Sequence, residues 1–337
     1  MKILLSSHAF SPAIGGIESV SELLAAEFVR QGHEVRVVTQ TPGPDKPEWP
    51  YPVLRRPGAR ALLAAVRWCD LFLHNNISLQ VLWPLLCVRR PWVVAHQTWI
   101  TRLDGRLDWR DRLKRFLLRF AAANISISRA VARSLPVPSI LIPNPYRDDL
   151  FYRMPEVERT GDLAFLGRLV SDKGADLLLQ ALRLLKEEGI SPRLTLIGGG
   201  PEAEPLQALA RELGVAAQVD FVGPRAGMEL ARLLNGHRVL AVPSRWAEPF
   251  GIVALEGIAC GCAVIGSREG GLADAIGPCG VTFPNGDVPS LAAALREALT
   301  RPDLAAQWAA AAPAHLAAHT ARAVAAAYIA VFQNSPR

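Results

Sequence analysis

Two glutamates, Glu248 and Glu256, stand eight positions apart in RWAEPFGIVALEGIACG (245–261). Pro249 and Gly251 between them suit a strand-to-helix junction, which leaves Glu248 on the loop and Glu256 inside the helix. On one continuous helix two such carboxylates lie roughly 12 Å apart along the axis and are turned well away from each other. That is too far for a carboxylate pair acting on a single atom, and it suits hydroxyl groups at opposite ends of a long ligand. The plainer reading is a capping carboxylate followed by a helix-surface glutamate. Against it, Glu256 sits among Ile252, Val253, Ala254, Leu255 and Ile258, an apolar setting in which a carboxylate needs a partner.

Cations occur at a comparable junction. In FLGRLVSDKGADLLLQAL (165–182), Arg168 ends a strand-like run and Lys173 with Gly174 opens a helix. Two cations beside a helix N-terminus can neutralise a diphosphate leaving group without a metal ion. A lone Arg or Lys is usually a solvated surface charge, but the two ends of one loop favour a shared role. In SPAIGGIESV (11–20), Gly15 and Gly16 leave backbone N–H groups accessible at a helix start, which fits either an anion seat or a tight turn. The glycine run in LIGGGPEAEPLQALA (196–210) fits close approach by a nucleotide or a turn equally well. His96 closes the strand-like WVVAHQ (92–97), a place where a histidine alone is more often a structural hydrogen-bonder.

The elements that must position these residues are short apolar runs alternating with helical patterns. KILLSS (2–7), EVRVVTQ (34–40), DLFLHN (70–75), WVVAHQ (92–97) and ANISIS (123–128) read as strands, with a helix over 17–32 after the first. The pattern restarts with strands at 162–169, 193–200, 219–223, 239–244 and 263–267, separated by helices at 174–188, 202–213, 227–235 and 251–260. Such alternation implies α/β architecture with parallel sheets. Two series joined by the Pro/Asn-rich IPNPYRDDLFYRMP (142–155) imply two Rossmann-like domains facing across a central cleft. The expected division is 1–147, joined by the last helix at about 319–337, and 148–318. A chain of 337 residues exceeds the usual size of a single core, in keeping with that division.

Five cysteines (69, 87, 260, 262, 279) are odd in number and unevenly placed, so no disulfide framework is implied. The lone Cys260-x-Cys262 lacks the further ligands a zinc site needs. The start, MKILLSSHAF, lacks the long apolar stretch of a secretion signal, and a cytoplasmic location is expected. The longest uncharged stretch (304–321) is alanine-rich, is broken by Pro313 and carries Gln307, His315 and His319, so it suits a helix lying on the protein. Charge is uneven: residues 1–155 hold 21 basic against 12 acidic side chains (+9), and residues 156–337 hold 16 against 19 (−3). The N-terminal half is therefore suited to a negative partner. The acidic second half and the lack of an RNA-binding module argue against nucleic acid.

Taken together, the Glu-x7-Glu stretch EPFGIVALE (248–256) with ACG (259–261) after it, the GRL…KG element (167–174), the loop FSPAIGGIE (10–18) and VDFVG (219–223) carry a family resemblance. The chain resembles the GT-B-fold retaining glycosyltransferases of family four (glycosyl transferases group 1) over nearly its whole length. That resemblance implies an N-terminal acceptor domain and a C-terminal nucleotide-sugar donor domain. It implies that Glu248 holds hydroxyls of the donor sugar, with backbone groups of Phe250, Gly251, Ile252 and Val253 around it. Glu256 would accept from the ribose, Val222 would lie in the nucleotide-base segment, and Arg168 and Lys173 would bind the diphosphate. Gly15 and Gly16 would close over the diphosphate from the other domain, and His96 matches the family's histidine near the anomeric centre. The implied reaction moves a sugar from a UDP-, GDP- or ADP-linked donor to a hydroxyl acceptor with retained configuration. No metal and no cofactor is expected, the nucleotide-sugar being a co-substrate; no Asp-x-Asp occurs in the chain. Domain closure is implied, with hinges near 144–152 and in the last helices. The chain departs from the family pattern at His96-Gln97, where His-Asp or His-Glu is frequent, and at Asn144-Pro145-Tyr146-Arg147-Asp148, where Asn-Gly-Val-Asp is frequent.

The segment RLDGRLDWRDRLKRFLLRF (102–120) holds seven basic and three acidic residues, with Trp109, Leu113, Phe116, Leu117 and Phe120 on one helical face. The plain reading packs that face on its own domain and leaves a solvated basic face. The alternative is docking on an anionic membrane, which would place the protein peripherally on the inner membrane face. Two further readings share the architecture: a GT-B sugar-nucleotide epimerase and a non-catalytic two-domain sugar-binding protein. The second needs an export signal and has no use for Arg168 and Lys173 beside a helix start.

Overall fold

The computed structural model describes residues 1–13, 15–44, 49–101 and 106–335. The chain forms two compact units, Met1–Pro145 with Thr320–Arg337, and Tyr146–His319.

The first unit is built on seven strands: β1 (Lys2–Ser7), β2 (Glu34–Thr39), β3 (Val53–Arg55), β4 (Leu71–Asn75), β5 (Trp92–His96), β6 (Ala123–Ser126) and β7 (Ile140–Leu141). They lie in the order β3-β2-β1-β4-β5-β6-β7, every neighbouring pair parallel. Parallel strands need helical crossovers that cover both faces, and β4 and β5 are accordingly buried at every position. The crossovers are α1 (Gly16–Arg30), α2 (Ala59–Trp68), α3 (Leu79–Leu82), α4 (Trp109–Leu117) and α5 (Arg129–Ser134). Leu4, Val38, Phe72, Trp92 and Val94 project from the strands into one cluster with Leu62 and Val66 of α2, Val81 and Leu82 of α3, and Leu118 just after α4.

Helix α4 differs from the plain expectation. Trp109, Leu113, Phe116 and Phe120 are exposed, whereas Leu118 is buried and Lys114 pairs with Asp111 at 3.5 Å. The apolar stripe therefore points away from the domain that carries it. Residues 102–105 of the same segment lie outside the described residues.

The second unit holds β8 (Gly161–Leu166), β9 (Leu194–Ile197), β10 (Val219–Gly223), β11 (His237–Val242), β12 (Ala263–Ser267) and β13 (Gly280–Phe283), all parallel in the order β10-β9-β8-β11-β12-β13. Its helices are α6 (Ala175–Glu187), α7 (Ala203–Glu212), α8 (Gly227–Asn235), α9 (Ile252–Ala259), α10 (Leu272–Ile276), α11 (Val288–Thr300) and α12 (Pro302–Ala317). Leu163, Phe165, Leu194 and Leu196 from the sheet meet Leu178, Leu182 and Leu185 of α6 and Leu291 and Leu295 of α11 in the main core. The connection between the units runs without regular structure up to β8. Asn235 fastens it: Oδ1 accepts from the Met154 amide (2.8 Å) and Arg153 (3.1 Å), and Nδ2 donates to the Tyr152 carbonyl (2.9 Å).

The final helix, α13 (Ala321–Asn334), belongs to the first unit. Its Tyr328 and Phe332 rings lie 6.3 and 5.7 Å from Phe28 of α1, and Gln31 donates to the Arg322 carbonyl at 3.2 Å. Short edge elements are additions to the sequence reading: β3, β7, β13 and α10 are too brief to show a period. Pro313 does not break its helix. It is exposed in the middle of α12, so the Ala309 carbonyl that loses its donor is open to water.

His74, in the middle of β4, is fully buried against Phe72 and Trp92, and neither ring nitrogen has a hydrogen-bond partner among the described residues. Burial lowers its pKa to about 3. Between pH 6.5 and 3 the unfolded chain therefore binds a proton that the folded chain refuses, and stability falls as pH falls through that window. We expect His74→Leu to remove this slope. Urea unfolding of both proteins should show the variant gaining about 2 kcal/mol relative to wild type between pH 7.5 and pH 5.

Candidate functional site

Strand order in the second sheet reverses direction of growth between β8 and β11, and ligands of open α/β sheets settle outside the carboxyl ends of such a pair. A cavity of about 260 Å³ lies at that place. Phe165, Leu166 and Gly167 come to it from the end of β8, and Val242 and Ser244 from the end of β11. Lys173, Glu248, Val253 and Glu256 complete its polar and helical side.

Glu248 is nearly buried, and only one of its oxygens is occupied. Oε1 accepts from Lys173 Nζ at 2.5 Å and from the Ser244 hydroxyl at 2.8 Å. Oε2 has no protein donor among the described residues and is free to take a ligand hydroxyl. The loop carrying Lys173 is held in place by close backbone packing. Gly174 has φ +69°, and a Cβ there would collide with the Pro243 carbonyl, so only glycine lets this loop dock against the end of β11. Arg245 reinforces the docking: its amide donates to the Asp172 carbonyl at 2.9 Å and its guanidinium grips the Asp176 carboxylate. On the other side Gly270, φ +93°, packs on the Glu248 backbone, and the Gly271 amide donates to the Glu248 carbonyl at 2.6 Å.

Helix α9 starts at Ile252, and its N-terminus carries no side-chain cap among the described residues. The first N–H groups of a helix lack intrahelical partners and attract anions. Phe250 cannot offer its ring to a ligand, because that ring is buried and lies 6.0 Å from the His319 ring. The backbone of Phe250, Gly251 and Ile252 is what faces the opening of the helix. Arg168, just beyond β8, is exposed and forms no ion pair among the described residues. Glu256 lines the cavity one turn inside α9 and has no hydrogen-bond partner among the described residues. Burial pushes its carboxyl up to about 7, against the opposing influence of the Arg147 charge. Among the described residues no three His, Cys, Asp or Glu side chains are grouped so as to hold a metal ion.

The cavity thus brings together Lys173, Glu248, Val253 and Glu256. Val222 does not line it, since β10 is the edge strand of the sheet, two strands away from β8. Gly15, Gly16 and His96 belong to the first unit. Gly15 caps α1 with extended backbone, and the Glu18 side chain folds back beside it. His96 is buried at the end of β5, where Nε2 lies 3.1 Å from Asn124 Oδ1; Asn124 is oriented by donating to the Leu118 carbonyl at 3.1 Å. Burial outweighs that bond and lowers the pKa to about 4, so His96 is neutral with its proton on Nε2. Ser244 and the Gly270-Gly271 pair escaped the sequence reading. Gly270-Gly271 had a signal, a second Gly-Gly between a strand and a helix; Ser244 had none.

Residues 148–315 match the family described as Glycosyl transferases group 1, and residues 14–137 match Glycosyltransferase Family 4. The chain belongs to the glycosyl transferases group 1 family. Its architecture is the GT-B fold of that family. Among curated relatives, the D-inositol 3-phosphate glycosyltransferase of Corynebacterium jeikeium is 35% identical over 187 residues, covering 53% of this chain and 44% of the relative. The GDP-mannose-dependent alpha-(1-6)-phosphatidylinositol monomannoside mannosyltransferase of Mycolicibacterium smegmatis is 31% identical over 268 residues, covering 76% of this chain and 65% of the relative. The chain thus spans about half to two thirds of the length of these relatives. Among solved structures, HepE from Anabaena in complex with UDP superposes with a TM-score of 0.83 at 20% identity, over 99% of this chain and 100% of that one. At that identity the likeness shows the fold alone.

A folded-state pKa near 7 at Glu256 has a consequence in the ligand-free protein. The folded chain holds this proton between pH 4.5 and 7 and the unfolded chain does not, so the contribution to stability is complete below pH 4.5 and lost as pH rises through 7. Glu256→Gln, which stays neutral, should therefore raise the melting temperature at pH 8 and leave it nearly unchanged at pH 5. Equal shifts at both pH values in calorimetric scans would show that the carboxylate is not desolvated.

Proposed function

We propose that this glycosyl transferases group 1 chain moves a sugar from a nucleoside diphosphate sugar to a hydroxyl acceptor, with retention and without a metal ion. The observation that carries the reading is the division of labour at Glu248. One oxygen is tied to Lys173 and Ser244, and the other is open beside an uncapped helix N-terminus. In this reading Oε2 accepts from donor-sugar hydroxyls, and the α9 amides receive the sugar and the adjacent phosphate. Arg168 and Lys173 take the diphosphate. Glu256 accepts from the ribose hydroxyls at the far end of the ligand, which explains two carboxylates eight residues apart.

The bond that breaks joins the anomeric carbon to a phosphate oxygen, and negative charge gathers on that phosphate as it leaves. Fixed cations and helix N–H groups stabilise this charge more in the transition state than in the bound donor, the condition for lowering a barrier. The acceptor oxygen forms its bond on the face the diphosphate leaves, and a phosphate oxygen takes its proton. Retention follows from same-face attack with no enzyme nucleophile required. One relative is named as GDP-mannose-dependent and one fold neighbour was crystallised with UDP, so both bases belong in the test.

A thermal-shift screen of UDP, GDP and ADP with their sugar conjugates should find one base that stabilises the protein by mass action. With the matching donor, Lys173→Ala and Glu248→Ala should each lower turnover by about 100-fold or more. Lys173→Ala, which strips Glu248 of its cation, should also lower the melting temperature while the cooperative transition persists. NMR of the product should show the donor's anomeric configuration. Wild-type rates in both variants, or an inverted product, would overturn the reading.

A further inference from the structure

We propose that the first unit docks on an anionic lipid bilayer through α4 and the turn that follows it. At about 100° per residue, Trp109, Leu113, Phe116 and Phe120 fall within an arc of about 60°. Leu118, Asp111 and Lys114 lie on the opposite side. A helix in water normally turns its apolar arc inward, and here the reverse holds: Trp109 is 67% exposed, Phe116 51%, Phe120 63% and Leu113 38%. The inward side is instead held by polar means, with a capping box between Asp108 and Asp111 and a bond from Arg115 to the Ser134 carbonyl at 3.0 Å. The helix is thus fixed in an orientation that presents aromatic rings to solvent.

The surroundings of the stripe identify what covers it. Arg110 lies on one flank, with its guanidinium 5.3 Å from the Trp109 ring, and Arg112 and Arg119 lie on the other, Arg119 being 5.7 Å from the Phe116 ring. All three are exposed. An apolar strip between two cationic margins matches the boundary of a membrane, where rings enter the acyl–headgroup region and cations meet lipid phosphates. A second feature of the same layer agrees. Leu86 is 90% exposed between Leu85 and Val88, which pack on the same buried cluster as Leu117, and Arg89 is exposed nearby. The excess of basic residues in the first half adds long-range attraction to a negative surface.

The test is flotation of the full chain with vesicles of phosphatidylcholine alone or with phosphatidylglycerol at increasing fraction. Binding should appear only with the anionic lipid and weaken with salt. The apolar variant Trp109→Ser/Phe116→Ser/Phe120→Ser and the charge variant Arg110→Glu/Arg112→Glu/Arg119→Glu should each weaken binding by about tenfold or more. All the altered side chains are exposed, so unchanged thermal melting should confirm that both variants fold. Absence of binding to anionic vesicles would overturn the proposal, as would binding that neither variant weakens. Concentration-dependent self-association of the wild type that the apolar variant abolishes would assign the stripe to a second copy of the chain instead.

Discussion

A carboxylate removed from water costs several kcal/mol unless a cation and hydrogen-bond donors meet it, and at Glu248 both are supplied from elsewhere in the sequence. Lys173 arrives on a loop after β8, Ser244 on the end of β11, and each must be placed to within the length of a hydrogen bond. That requirement explains the backbone around them. Gly174 lets one loop rest on the Pro243 carbonyl, and Gly270 lets another rest on Glu248 itself. Any side chain at either position would push apart the loops that hold the ion pair. The carboxyl edge of the second sheet is in this sense assembled around one oxygen atom, and the second oxygen of Glu248 takes no protein donor among the described residues.

The second glutamate of α9 lives under the opposite condition. Among the described residues Glu256 has no donor or cation in hydrogen-bond contact, and burial raises its carboxyl to about 7. The side chain is partly buried on the wall of the cavity, where a carboxyl without a donor is costly to ionise. One short helix thus has before its start a carboxylate paired through one oxygen, and inside it a carboxylate with no hydrogen-bond partner among the described residues. The two together suit a ligand longer than either could hold.

Much of this could be read in the chain itself. The period of apolar residues located the main strands and the helices between them, because parallel strands buried on both faces are near-continuous apolar runs. Glu248 and Lys173 could be picked out because each stands where a strand yields to a helix, and Glu256 because a carboxylate stood among apolar residues; the structure gathers these three around one cavity that Arg168 does not line. What could not be read depends on distant neighbours. Ser244 is a small polar residue with no pattern of its own until Glu248 is folded onto it. The two-residue β7 is too short for any period. The orientation of α4 was also beyond reach, since an amphipathic pattern tells which residues share a face and not which way that face looks. Pro313 misled for a related reason: an exposed position between alanines tolerates the lost N–H that a packed position would not.

Helix α13 closes over Phe28 of α1, although the whole second unit is strung between them along the chain. During synthesis, therefore, the second unit emerges as one unbroken stretch and has every piece of its core in hand. The first must wait with the flank of α1 bare, its aromatic ring in water, until the ribosome reaches the final helix. Translation order makes the earlier-made half the later-finished one, and leaves an apolar surface for folding helpers to shield in the interval.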